Sequence, residues 1–175
     1  MRTGLLIFGI VLIFSCGEPL KVYMPQDPKR TLHYTLSESE YSSLKNYLQS
    51  KNSSPLKDTL IVHYHFYKDN CWSLIDRNTK DEINNLIASR NKYVTDVLSQ
   101  RNNLSVFQFR EPGNHPNTLI YLNKQIKIDS STILKTILFR NKTTCGSSAL
   151  VLPDREVWIL RSDAHYEILR FFPPK

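Results

Sequence analysis

Cysteine and glycine are scarce in this chain of 175 residues, with three of the first and five of the second, and neither is clustered. Without closely spaced cysteines there is no metal-binding cysteine motif. Without a glycine-rich run there is no loop to cradle a phosphate, and no serine stands in a nucleophile elbow. Long charge runs are missing as well: nothing exceeds a pair such as Lys29-Arg30, although Lys and Arg outnumber Asp and Glu by 23 to 16. Scattered charge without interleaved aromatic residues excludes a nucleic-acid partner and reads as a solvated basic surface. No internal repeat or low-complexity tract is present. No apolar run reaches the roughly twenty residues that a membrane-spanning helix needs.

One shorter apolar run does exist. Met1 and Arg2 make a positive start, Gly4 to Phe14 are almost unbroken apolar residues, and Ser15 precedes Cys16. About ten apolar residues suit a signal-peptide core. Ile13-Phe14-Ser15-Cys16 resembles the bacterial lipobox, which directs diacylglycerol onto the thiol before cleavage, although Phe14 stands where a small residue is usual. The resemblance implies lipidation of Cys16 and a protein anchored to a membrane in the bacterial cell envelope, periplasmic or surface-exposed, with membrane lipid as its first partner. Acyl chains at about 0.8 kcal/mol per buried methylene make such an anchor firm. Ordinary secretory cleavage after a small residue, or a buried N-terminal helix, are the alternatives.

The remainder is one domain's worth of chain, and 41% hydrophobic residues supply a core. Residues 1–16 are then the leader and 17–30, with Pro19, Pro25 and Pro28, an extended tether. Residues 31–172 form the domain. Alternation at Leu32, Tyr34 and Leu36 predicts a first strand. Ser37-x-x-Glu40 and Thr79-x-x-Glu82 are capping boxes that open helices running to about Ser50 and Gln100, the first with a Leu36–Tyr41 staple. Between them Leu60 to Tyr67, β-branched and aromatic, reads as the central strand. Val106 to Phe109 is the next strand, Glu111 to Asn117 a loop, and Thr118 to Ile128 a small hairpin turning at Asn123-Lys124. Asp129 or Ser130 caps a helix bearing Ile133, Leu134, Ile137 and Leu138. Ala149 to Leu152 and Val157 to Leu160 are strands joined across Pro153 to Glu156, and Ser162 or Asp163 opens a short last helix.

Strands alternating with helices predict an α/β domain, a central mixed β-sheet with helices on both faces. The order of elements over residues 31–172 resembles the thioredoxin-like fold, in which the last two strands also form a hairpin. In that family the reactive cysteine follows the central strand at the start of a helix, and Cys71 holds the corresponding place. A helix N-terminus there lowers a thiol pKa. The family's C-x-x-C pair is absent, because Leu74 stands where the resolving thiol belongs, and no proline precedes Ala149 where the family has a cis-proline loop. Cys145 lies in that loop instead.

The resemblance therefore implies that Cys71 and Cys145 face each other. Lipidation of Cys16 leaves these two thiols in an oxidising compartment, the number that one disulfide needs. A structural disulfide, a redox-active pair with Cys71 as nucleophile and Cys145 resolving, and two free cysteines all remain open. The expected role is binding or structural at the envelope, toward an unidentified envelope protein or ligand and without a cofactor. Thiol-disulfide exchange or redox sensing is the alternative.

Two weaker patterns remain. Cys71 and Arg77 have the C-x5-R spacing of cysteine-dependent phosphatases, but the intervening residues contain no glycine and Asp76 opposes an anion. His63 and His65 share one face of a strand, which is better read as a partly buried polar face than as a metal site, since no third ligand accompanies them.

Overall fold

Ser37 and Thr79 start the two long helices as their spacing to Glu40 and Glu82 requires. In the computed structural model, which describes residues 20–67, 71, 77–113, 120 and 122–170, α1 is Glu38–Ser50 and α2 is Lys80–Gln100. Ser37 Oγ accepts from the Glu40 amide at 3.3 Å, and the Glu40 carboxylate accepts from the Ser37 amide at 2.9 Å. Thr79 and Glu82 repeat the exchange at 3.3 and 2.7 Å. Four otherwise unpaired amides are thereby satisfied at the two helix starts.

Six strands form one sheet: β1 (Thr31–Thr35), β2 (Thr59–His65), β3 (Leu104–Arg110), β4 (Lys127–Ile128), β5 (Ser147–Val151) and β6 (Glu156–Arg161). Their order across the sheet is β1-β6-β5-β2-β3-β4. β2 and β3 run parallel, and α2 provides the crossover that parallel neighbours need. β4 is also parallel to β3, while the β2/β5, β5/β6 and β6/β1 pairs are antiparallel. The mixed sheet and the order of elements are consistent with a thioredoxin-like fold. All seven residues of β2 are buried, as the strand's apolar and aromatic composition predicts.

Side chains alternate along β2 between two clusters. Leu60, Val62 and Tyr64 join Leu44 and Leu48 of α1 and Leu134 of α3 (Ile133–Ile137). Ile61 instead joins Val94 and Val97 of α2 and Ile168 and Leu169 of the C-terminal 3-10 helix His165–Arg170. That 3-10 helix stands where the sequence predicts a short α-helix.

Two further expectations are corrected. Thr118 to Ile128 is not a hairpin in its described part: Ile120 and Leu122 are helical, and β4 pairs in parallel with β3, Phe109 opposite Lys127. Asn123 does make a turn, accepting from the Ile126 amide at 3.0 Å. The following helix begins at Ile133 with Thr132 as its N-cap, so neither Asp129 nor Ser130 holds that position. Asp129 acts one turn early, where its carbonyl accepts from the Thr132 amide and its carboxylate from the Lys135 amide.

Residues 20–30, read from their prolines as tether, lie along the domain. Thr144 N donates to Lys21 O at 2.9 Å, and Tyr23 N donates to Ser162 Oγ at 3.0 Å. A 3-10 turn at Pro28–Arg30 follows, and Arg30 pairs with Glu167 at 3.2 Å. Residues 1–16, expected as the leader and ending at Cys16, lie outside the described residues. Among the described residues no helix is long and apolar enough to cross a membrane.

Candidate functional site

Cys71 and Cys145 are joined by a disulfide with their Cα atoms 4.7 Å apart, across a sequence separation of 74. Both are half-buried. The bond ties the loop after β2 to the loop before β5. The following long helix, α2, begins at Lys80. Residues 72–76 lie outside the described part, so the loop of the phosphatase-like spacing up to Arg77 is not described. With its sulfur bonded to Cys145, Cys71 offers no thiolate for attack on a phosphate in this state.

The second loop is shaped for close approach. Cys145 and Gly146 both have positive φ, 69° and 74°. A Cβ on Gly146 would come within 2.8 Å of Tyr64 O, 3.0 Å of His165 Nε2 and 3.3 Å of His65 Nδ1. Only glycine meets both demands, the left-handed backbone and the lack of room. The loop that carries one half of the disulfide therefore rests on two imidazoles.

Beneath it runs a buried polar chain. β2 and β5 bring His63 opposite Ser148 in register. His63 Nδ1 lies 2.5 Å from Ser148 Oγ, which lies 2.5 Å from His165 Nδ1. A hydroxyl has one hydrogen, so Ser148 donates to one ring and accepts from the other. The two histidines are consequently in opposite tautomers. Tyr166 stacks on His63 with centroids 3.9 Å apart, and the Arg90 guanidinium lies 4.9 Å from the Tyr166 ring. His65 meets His165 edge-on at 5.8 Å.

Burial, assisted by the Arg90 charge, lowers the His63 pKa to about 3. His165 is held well below its ordinary value by burial first, then by His65, His63, Arg90 and Arg30. Both rings are neutral at physiological pH. His63 and His65 do share a face, as their spacing predicts, but that face is fully rather than partly buried. No group of three or more His, Cys, Asp or Glu side chains suited to a metal occurs among the described residues.

A buried carboxylate fastens the neighbouring loop ends. Glu111 accepts from Lys135 at 2.6 Å, Lys142 at 2.8 Å and the Tyr67 amide at 2.7 Å. Burial pushes its pKa up, and these three donors together outweigh it, so the group stays below the usual carboxylate range.

The sequence points to Cys71, Cys145, His63 and His65 but not to Ser148, Gly146 or His165. Ser147-Ser148 at the head of an otherwise apolar strand was the available signal for the first. For His165 there was none, because only the fold carries the C-terminal turn back under β5. Comparison with known proteins finds no matching family model, no matching curated sequence and no matching solved structure.

Proposed function

We propose that the protein is an exported bacterial lipoprotein, held on the envelope membrane by acylated Cys16, whose thioredoxin-like domain binds a partner and is stapled by Cys71–Cys145. The observation that carries this reading is the disulfide. Such bonds persist in oxidising compartments outside the cytoplasm, which is where a lipobox-like leader would send the chain. A staple across so many residues restricts the unfolded chain and stabilises the domain by about 2–4 kcal/mol. The pair comes from two distant loops and not from one C-x-x-C turn, which suits a lock better than a rapid exchanger.

The test is metabolic labelling with palmitate in a bacterial host, followed by fractionation. Labelled protein in the membrane fraction, lost from both label and membrane in Cys16→Ser, is expected. Unlabelled wild-type protein, or a Cys16→Ser variant that stays on the membrane, contradicts the anchor.

A second reading has one observation in its favour: both cysteines are half-exposed, and Gly146 seats the Cys145 loop on His65 and His165. In that reading the reduced Cys71 thiolate attacks a substrate disulfide, and one substrate sulfur leaves as a thiolate. Cys145 then attacks the mixed disulfide, which releases the second substrate thiol and restores the Cys71–Cys145 bond. Two electrons pass to the substrate, and the two protons lost by the cysteine thiols end on the two substrate thiols.

A further inference from the structure

Away from the disulfide, β6 ends in a buried cation that has no carboxylate partner among the described residues. Arg161 is 6% exposed. Its Nη1 donates to Tyr23 Oη at 3.0 Å, its Nη2 donates to the Lys29 carbonyl, and its guanidinium carbon lies 3.9 Å from the centre of the Tyr23 ring. All of these partners are neutral. Among the described residues the Nε hydrogen has no acceptor, and no carboxylate lies within 4.0 Å of the guanidinium.

Nearby cations are treated differently. Arg30, equally buried, is paired with Glu167; Arg140 is paired with Glu40 at 2.6 Å, and Lys142 with Glu111. A buried charge without a counter-ion costs several kcal/mol, and proteins rarely retain one without a use for it.

Two cavities meet at this residue. One, about 200 Å³, has an apolar wall that includes Leu32, Tyr34, Phe139 and Ile159. The other, about 390 Å³, is polar and includes Lys21 and Lys142. Arg140, Asn141 and Arg161 line both, and among the described residues neither lining contains an Asp or Glu. A planar guanidinium with free N–H groups matches the two-oxygen edge of a carboxylate or phosphate. An apolar recess beside it adds a preference for an attached hydrocarbon group.

We propose that this cleft binds a small oxyanion carrying an apolar substituent, with Arg161 as its central contact. The oxyanion takes the counter-ion's place at the guanidinium, Lys21 adds charge at the mouth, and the substituent enters the apolar cavity. This site is separate from the disulfide and does not depend on where the protein is located.

Titration of the purified full chain with phenylphosphonate, inorganic phosphate and benzyl alcohol, followed by calorimetry, tests the proposal. Phenylphosphonate should saturate, inorganic phosphate should bind at least about tenfold more weakly, and benzyl alcohol should not saturate up to about 10 mM. Arg161→Gln should weaken phenylphosphonate by about tenfold or more. No saturation by phenylphosphonate, equal binding of phosphate and phenylphosphonate, saturable binding of benzyl alcohol, or unchanged affinity in Arg161→Gln each overturns it. If Arg161→Gln loses its native circular dichroism, Lys21→Glu decides instead, since that side chain is exposed and exposed substitutions usually change stability by within about 0.5 kcal/mol. Weakening of phenylphosphonate by about threefold or more at low salt supports the cleft, and an unchanged affinity overturns it.

Discussion

Leu60, Val62 and Tyr64 on one face of β2 enter a hydrophobic cluster, whereas on the other face Ile61 is followed by His63 and His65, just as deeply buried. One strand thus presents two solutions to the same burial. The apolar face gains from every methylene it hides and tolerates imperfect partners. On the imidazole face each ring needs its hydrogen bond, because an unsatisfied buried polar group costs more than a satisfied one contributes. The polar solution occurs where β2 runs toward Cys71 and where β5 receives Cys145. The thermodynamic concession is made at the disulfide end of the sheet and not at its centre.

The largest expected effect lies on the apolar face. Phe109→Ala removes a fully buried ring packed against Tyr47 and Phe107 and should cost about 3–5 kcal/mol in urea unfolding. Such a loss with the disulfide's redox behaviour unchanged would confirm that this face is structural alone. Next comes the staple: Cys71→Ser or Cys145→Ser should each lower stability by about 2–4 kcal/mol, and the double variant by no more than either single one. Additive losses would mean that the cysteines act separately.

Ser148→Ala then probes the imidazole face. It strands two buried ring nitrogens and should cost about 1–3 kcal/mol, more than its small change in volume explains. A cost under about 0.5 kcal/mol would show that the chain contributes little.

The last effect is graded, on pH, and smallest for a single ring over a single unit. An unfolded histidine titrates near 6.5, while folded His63 titrates at about 3 and His165 well below 6.5. Between those values the unfolded chain binds protons that the folded chain refuses. Stability from these rings is therefore complete above about pH 6.5 and falls as pH drops, by about 1.4 kcal/mol per pH unit for each histidine. Urea midpoints at pH 7.5, 6.0 and 5.0 read this slope before Glu111, whose pKa is lowered, begins to protonate. A flat profile across that range contradicts the neutral chain.

What the sequence disclosed follows the range of the interactions. Ser37 with Glu40 and Thr79 with Glu82 are three residues apart, so both helix starts could be read directly, as could the β5/β6 turn at Pro153 to Glu156. The buried β2 was equally plain from its composition. The parallel β4, by contrast, depends on Phe109 meeting Lys127, a non-local pairing that local alternation mimics with a hairpin. Thr132, with φ of 55°, delays α3 beyond the residues whose side chains would normally cap it. At the site, spacing revealed that His63 and His65 share a face. It could not reveal that Ser148 links His63 to His165, nor that Arg161 would be buried with no carboxylate beside it among the described residues. Those facts arise only when β5, β6 and the last turn come together.

The central claim is that Cys71–Cys145 locks the domain, and the reduction potential of that bond tests it most directly. It can be measured on the Cys16→Ser chain by alkylation and mass shift in thiol buffers of graded potential. A value below about −300 mV is the result predicted for a lock, and a value between about −120 and −270 mV would contradict it and favour exchange.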